Sequence, residues 1–111
     1  MLDAKYDKVD EATAASIAAQ VGKRATLVMV THETDPARIA AALKAIPNMR
    51  SVQLHNEAMT MEQCVTLRDL LGADYNLIRA ISSTPETNEN TLREEVNRWA
   101  SGPFDALILD T

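Results

Sequence analysis

His55 and Glu57, in the run Val52-Gln53-Leu54-His55-Asn56-Glu57, follow directly on a short apolar stretch. Asp110 does the same after Ala106-Leu107-Ile108-Leu109. Parallel α/β proteins keep binding and catalytic groups at the C-terminal ends of buried strands. If all strands run the same way, one rim gathers Thr31 and His32, His55 and Glu57, Ser82 and Ser83, and Asp110. Two imidazoles and a carboxylate on one edge suit proton transfer to and from a polar small molecule. The same residues also fit ordinary loop chemistry, because loops are polar whatever they do.

Each candidate has a plain structural reading beside the chemical one. His55 fits a satisfied structural histidine as well as a catalytic one, and Asp110 could be a terminal cap or turn carboxylate. His32 and Glu33, just ahead of Asp35-Pro36, read as a solvated turn. Arg79 lies inside an apolar stretch. It is either an interior or rim cation aimed at an anion, or one end of a structural ion pair. Cys64 lies on the apolar stripe of a helix and reads as core packing, not as a nucleophile. Met29, Met49, Met59 and Met61 read as gap fillers. The sequence has no glycine-rich phosphate loop, no metal-ligand spacing and no Ser-His-Asp ordering. Three glycines in all argue against a nucleotide-phosphate cradle. No metal and no cofactor is expected.

Such a rim needs strands held by helices, and the chain alternates the two from end to end. Asp10 can cap a helix with the stripe Ala14, Ile17, Ala18 and Val21, stopped by Gly22. Ala25 to Val30 reads as a strand. Asp35-Pro36 starts a helix that buries Ile39, Ala42, Leu43 and Ile46 and ends before Pro47. Val52 to Leu54 is the second strand. Thr60 with Gln63 forms a capping box for a helix carrying Cys64, Leu67, Leu70 and Leu71 inward, ending at Gly72. Asn76 to Ile81 is the third strand, and Ser82-Ser83-Thr84-Pro85 a polar loop. A helix with Leu92, Val96 and Trp99 on one face follows, closed by Gly102-Pro103, and Ala106 to Leu109 is the fourth strand.

The strands recur about every 25–30 residues, the period of (β/α) units. Apolar strands between amphipathic helices predict a parallel sheet covered by helices. Periodicity alone does not separate a segment of a closed barrel from an open doubly wound sheet. The 111 residues suit one domain. Apolar content of 46% with 24% charged is ordinary for a globular protein, so disorder is not expected. A net charge of −5 without a Lys/Arg stripe argues against nucleic acid as a partner. No apolar run approaches the roughly 20 residues that span a bilayer, and no signal-peptide core opens the chain, so no membrane partner and a cytoplasmic location are expected. The single cysteine excludes an internal disulfide.

Val52-Gln53-Leu54-His55 and Leu107-Ile108-Leu109-Asp110-Thr111 resemble motifs of phosphoribosylanthranilate isomerase, a TIM-barrel family of tryptophan biosynthesis. That family carries Val-Gln-Leu-His-Gly-(Asp/Asn)-Glu at its fourth strand and Leu-Leu-Asp-Thr at its sixth. Cys64-Val65-Thr66-Leu67-Arg68 is similar to the helix between them, and Ile78-Arg79-Ala80-Ile81 to the fifth strand. Leu27 to Thr31 with Asp35-Pro36 resembles the third strand and its helix, and Ser16 to Val21 the end of the second helix. The resemblance covers nearly all of this chain and the middle of the family's.

It implies four strands of a (β/α)8 barrel, an incomplete or half barrel whose open edges could pair with a second copy as a homo-oligomer. It implies the Amadori rearrangement of N-(5-phosphoribosyl)anthranilate without metal or cofactor. A general acid protonates the ribose ring oxygen, and a general base removes the C2′ proton. The acid falls on Asp110, and a carboxyl group can donate where a dry surrounding keeps it protonated part of the time. His55 would line the substrate site, and Arg79 would face the anthranilate carboxylate or stabilise the rim. The family's base is a cysteine in a Lys-Ile-Cys-Gly motif on the first strand, a motif absent here, and its phosphate-binding glycines follow the sixth strand. Asn56 stands where the family has glycine. These 111 residues alone are therefore not expected to be active. The alternative is a non-catalytic α/β binding or interaction module.

Overall fold

The local signals that begin each helix are short-range, and the computed structural model, which describes residues 10–56, 58–84 and 86–110, satisfies them. Asp10 accepts from the Thr13 amide at 2.7 Å and opens α1 (Glu11–Val21). Asp35 accepts from the Ala37 amide at 3.0 Å ahead of Pro36, the first residue of α2 (Pro36–Ala45). Thr60 and Gln63 exchange both bonds of a capping box at α3 (Met61–Leu71). Asn88 caps α4 (Glu89–Ala100). Each cap supplies an acceptor to an amide that the first turn leaves without a partner.

Between the helices run β1 (Leu27–Thr31), β2 (Met49–Leu54), β3 (Asn76–Ser82) and β4 (Ala106–Asp110). All pairs are parallel and the order is β1-β2-β3-β4. With right-handed crossovers and no reversal of order, every connecting helix falls on the same face of the sheet. β1 starts two residues later than the apolar run suggests, and β2 three residues earlier. Met49 already pairs with Leu27, with an irregularity between Leu27 and Val28. Asn48, at φ 65°, makes the tight turn into β2 and donates from its amide to the Ala18 carbonyl at 3.3 Å. Asparagine tolerates that left-handed backbone better than most residues.

The register sorts the strand residues into two rows. Met29, Thr31, Val52, Leu54, Leu77, Arg79 and Ile81 face the helices and are buried. Their cover is Ile39, Leu43 and Ile46 from α2, Cys64, Leu67 and Leu71 from α3, and Trp99 from α4. Met29, Met49 and Met59 are buried in this core as gap fillers. Three expected core positions are not in it: Ile17 and Leu70 lie on the outer flanks of α1 and α3 and are exposed, and Val21 is only partly buried. The opposite row carries Val28, Val30, Gln53, Ile78, Ala80, Ile108 and Asp110. No helix among the described residues covers it, and Val30 is 54% exposed.

Arg68 fastens the layers at the other end of the strands. From α3 its guanidinium donates to the carbonyls of Tyr75 at 2.8 Å and Pro103 at 3.0 Å, and to Asp105 Oδ2. Asp105 also accepts from the Leu77 amide at 2.9 Å. That amide bond, and then Arg68, hold the Asp105 carboxyl below its ordinary value of 3.8. Because the folded state lowers this pKa, its contribution is complete above about pH 4 and fades as pH falls below it. An Asp105→Asn chain should therefore lose less stability than the parent between pH 5 and pH 3, as read by denaturant unfolding at each pH. Parallel losses in both chains would count against this role.

Candidate functional site

The strand register decides which polar residues share the open face. Residues two apart on a strand point the same way. Gln53 therefore predicts the side of His55, Val30 that of His32, and Ile108 that of Asp110. The structure brings these three together. His55 Nε2 lies 3.8 Å from Asp110 Oδ2, within reach of an ion pair but longer than a hydrogen bond. The His32 and His55 rings meet edge to face with centroids 5.1 Å apart. β3 lies between β2 and β4, and its residues on this face near the rim are Ala80 and Ser82. Their small side chains leave room for His55 to reach across to Asp110.

Backbone bonds hold the rim in place. The His55 amide donates to the Thr31 carbonyl at 2.8 Å, and the Ser83 amide to the Asp110 carbonyl at 2.9 Å. Asn56 braces the β2 loop twice, donating to the Glu33 carbonyl at 3.1 Å and accepting from the Met59 amide at 3.0 Å. A glycine at this position could make neither bond. Glu33 organises the turn before α2, accepting from the Thr34 amide at 2.9 Å and pairing with Arg38 at 3.2 Å. Asp110 is half exposed, and His55 is less so. His55 Nδ1 is buried and makes no hydrogen bond. The imidazole thus has one nitrogen toward the carboxylate and one uncommitted nitrogen facing the interior. A carboxyl group at an accessible rim with an imidazole beside it can give, take or relay a proton.

Other residues proposed from the sequence lie elsewhere. Thr31 is buried on the helix side, where its hydroxyl accepts from the Glu33 amide at 3.0 Å. Arg79 pairs in register with Leu54 and Leu107, so it points into the helix layer and away from His55 and Asp110. It is 3% exposed, with its guanidinium carbon 3.9 Å from the centre of the Trp99 ring. It is not a rim cation on the open face, and no carboxylate among the described residues forms a close ion pair with it. Cys64 is fully buried beside it, and burial pushes the thiol up from its ordinary range. That fits packing. Glu57 lies outside the described residues. Ser82 and Asp110 are paired strand residues and not loop residues.

The sequence reading misses Ala80, the gap between His55 and Asp110, whereas His32, already placed on the rim, proves to be the direct neighbour of His55. Strand parity counted back from the rim was the available signal for both. Among the described residues, no group of three or more His, Cys, Asp or Glu side chains is placed to hold a metal ion. No helix among them is long and apolar enough to cross a membrane. No family model, curated protein or solved structure matches the chain.

Proposed function

We propose that these residues form the acid-bearing half of a (β/α)8-barrel isomerase of the phosphoribosylanthranilate isomerase type, with Asp110 as general acid and His55 lining the substrate site. The observation that carries this reading is the meeting of His55 and Asp110 at one rim, each at the end of the strand whose sequence resembles the family's motif. Strand order supports the barrel, since an open doubly wound sheet requires a reversal and these four strands have none. In the reaction the Asp110 carboxyl donates to the ribose ring oxygen of the phosphoribosylated aniline, and the ring opens. Removal of the C2′ proton by a base from outside this stretch then gives the enol, which relaxes to the ketose. His55, next to Asp110, would orient that carboxyl and contact the sugar. The reading is of an acid–base isomerase acting on a sugar phosphate joined to anthranilate.

The test is direct. The complete natural polypeptide containing these residues should convert N-(5-phosphoribosyl)anthranilate to the ketose without added metal. Failure to consume that substrate, with the protein shown to be folded, would sink the reading.

One observation favours a second reading. Val28, Val30 and Ile108 form an exposed apolar row on the uncovered face, and β1 and β4 each pair on one side only among the described residues. A non-catalytic interaction module would use such a face and such edges to self-associate. It predicts concentration-dependent association with no turnover.

A further inference from the structure

On the helix side of the sheet a cavity of about 490 Å³ opens between β3, α4 and the start of α3. Its wall includes Arg79, which is 3% exposed and whose Nε and Nη1 donate to no group. A guanidinium carries five N–H donors and cannot shed its charge, so burying it with donors idle is costly. The contacts around it relieve that cost only in part. Trp99 lies against the guanidinium, but the same indole also carries the Arg98 guanidinium at 4.7 Å. Glu95 is the one carboxylate among the described lining residues, and its charge partly offsets that of Arg79. It accepts from Trp99 Nε1 at 2.9 Å and faces Arg98 at 3.8 Å. Among the described lining residues, two guanidiniums stand against one carboxylate, an excess of one positive charge.

The rest of the lining is mixed. Hydroxyls of Thr87 and Thr91 stand beside the apolar surfaces of Met59, Leu92 and Trp99. A volume of this size is in the range that holds small molecules, and apolar walls with a few convergent polar groups are what such sites present. Planar guanidinium donors match a carboxylate, and an indole face matches a flat apolar body.

We propose that this cavity binds a small organic carboxylate, its charged end on Arg79 and its apolar body against Trp99. The site does not rest on the isomerase reading, because its charged group, Arg79, points into the helix layer and its lining includes neither His55 nor Asp110.

Trp99 is the only tryptophan in the chain, so its fluorescence reports the site directly. Benzoate is the probe, with benzyl alcohol as its uncharged counterpart and inorganic phosphate as an anion without an apolar body. Benzoate should give a saturable change in Trp99 emission at millimolar concentration or below, and benzyl alcohol should not. A folded Arg79→Met chain should bind benzoate at least tenfold more weakly. If that chain does not fold, Arg98→Gln at an exposed position replaces it, with an expected weakening of about threefold. The proposal is overturned by no saturable response to benzoate, by an equal response to benzyl alcohol, or by unchanged affinity in the folded variant. Phosphate binding as tight as benzoate would overturn the organic class. A failed turnover assay with intact benzoate binding would leave this site standing and remove only the isomerase reading.

Discussion

An Asp110→Asn exchange in the complete polypeptide should lower turnover of N-(5-phosphoribosyl)anthranilate by about 10²–10⁴-fold, the usual contribution of a positioned general acid. Asparagine keeps the shape of the side chain but has no proton to donate to the ribose ring oxygen. The backbone contact at this position survives, because it runs from the Ser83 amide to the Asp110 carbonyl and not to the side chain. The lost ion-pair partner is His55 at 3.8 Å, in a half-exposed setting. Such pairs contribute about 1 kcal/mol or less. Thermal stability should therefore be nearly unchanged while activity collapses, and steady-state kinetics paired with a melting curve separates the two effects. Full turnover by the asparagine chain would remove Asp110 from the acid role. A His55→Gln chain should lose less, since in the proposed reaction His55 only orients the acid and does not supply the proton. Equal losses in both variants would instead mark the two side chains as one unit.

How much of this was legible in the sequence follows from the range of the forces involved. Helix starts were legible because capping is local: Asp35 needs only the Ala37 amide, and Thr60 only Gln63. The identity of the four strands was legible from apolar runs, but their limits were not. Met49 and Arg50 join β2 because Leu27 offers a partner and because Arg50 lies over the Tyr75 ring and donates to its hydroxyl at 3.0 Å. The Arg50–Tyr75 contact spans 25 residues, beyond the reach of a local pattern.

The side of each strand residue was harder still. In β3, Leu77, Arg79 and Ile81 alternate with Ile78 and Ala80, and both rows are apolar enough to be buried. Only the strand order assigns the first row to the helices, and with it Arg79 to Trp99 instead of to the rim. Ile17 and Leu70 failed for a related reason. A stripe wide enough to include them is wider than the surface that the neighbouring helices cover. The rim pair itself was legible, since His55 and Asp110 each end an apolar run. Their meeting depended on Ala80, whose importance lies in what it leaves out.

The other large effect is structural. Leu54→Ala should cost about 3 kcal/mol or more, within the range found for buried leucines. Leu54 is fully buried on the helix-facing row of an interior strand, between Thr31 and Arg79 in register. Truncation removes a methine and two methyl carbons from a core built of aliphatic side chains on two layers. The caps, the turn at Asn48 and the Arg68 clasp all resist collapse into the space. A small domain has about 5–15 kcal/mol to lose, so this single change consumes a large share of it.

Leu109 is the matched control. It is the same residue type on the same row, but on the edge strand and 55% exposed. With little surface removed from water, its replacement by alanine should cost less than about 1 kcal/mol. Denaturant unfolding of both variants measures the contrast. A large gap confirms that the helices cover the interior strands and leave β4 bare. Equal, large losses would mean that Leu109 is buried in solution by a surface beyond the described residues. In that case the edge of β4 is paired, as closure of a barrel or docking of a second copy requires. Equal, small losses would instead mean that the core around Leu54 is loose, and the rim it supports could not hold His55 and Asp110 in a fixed geometry.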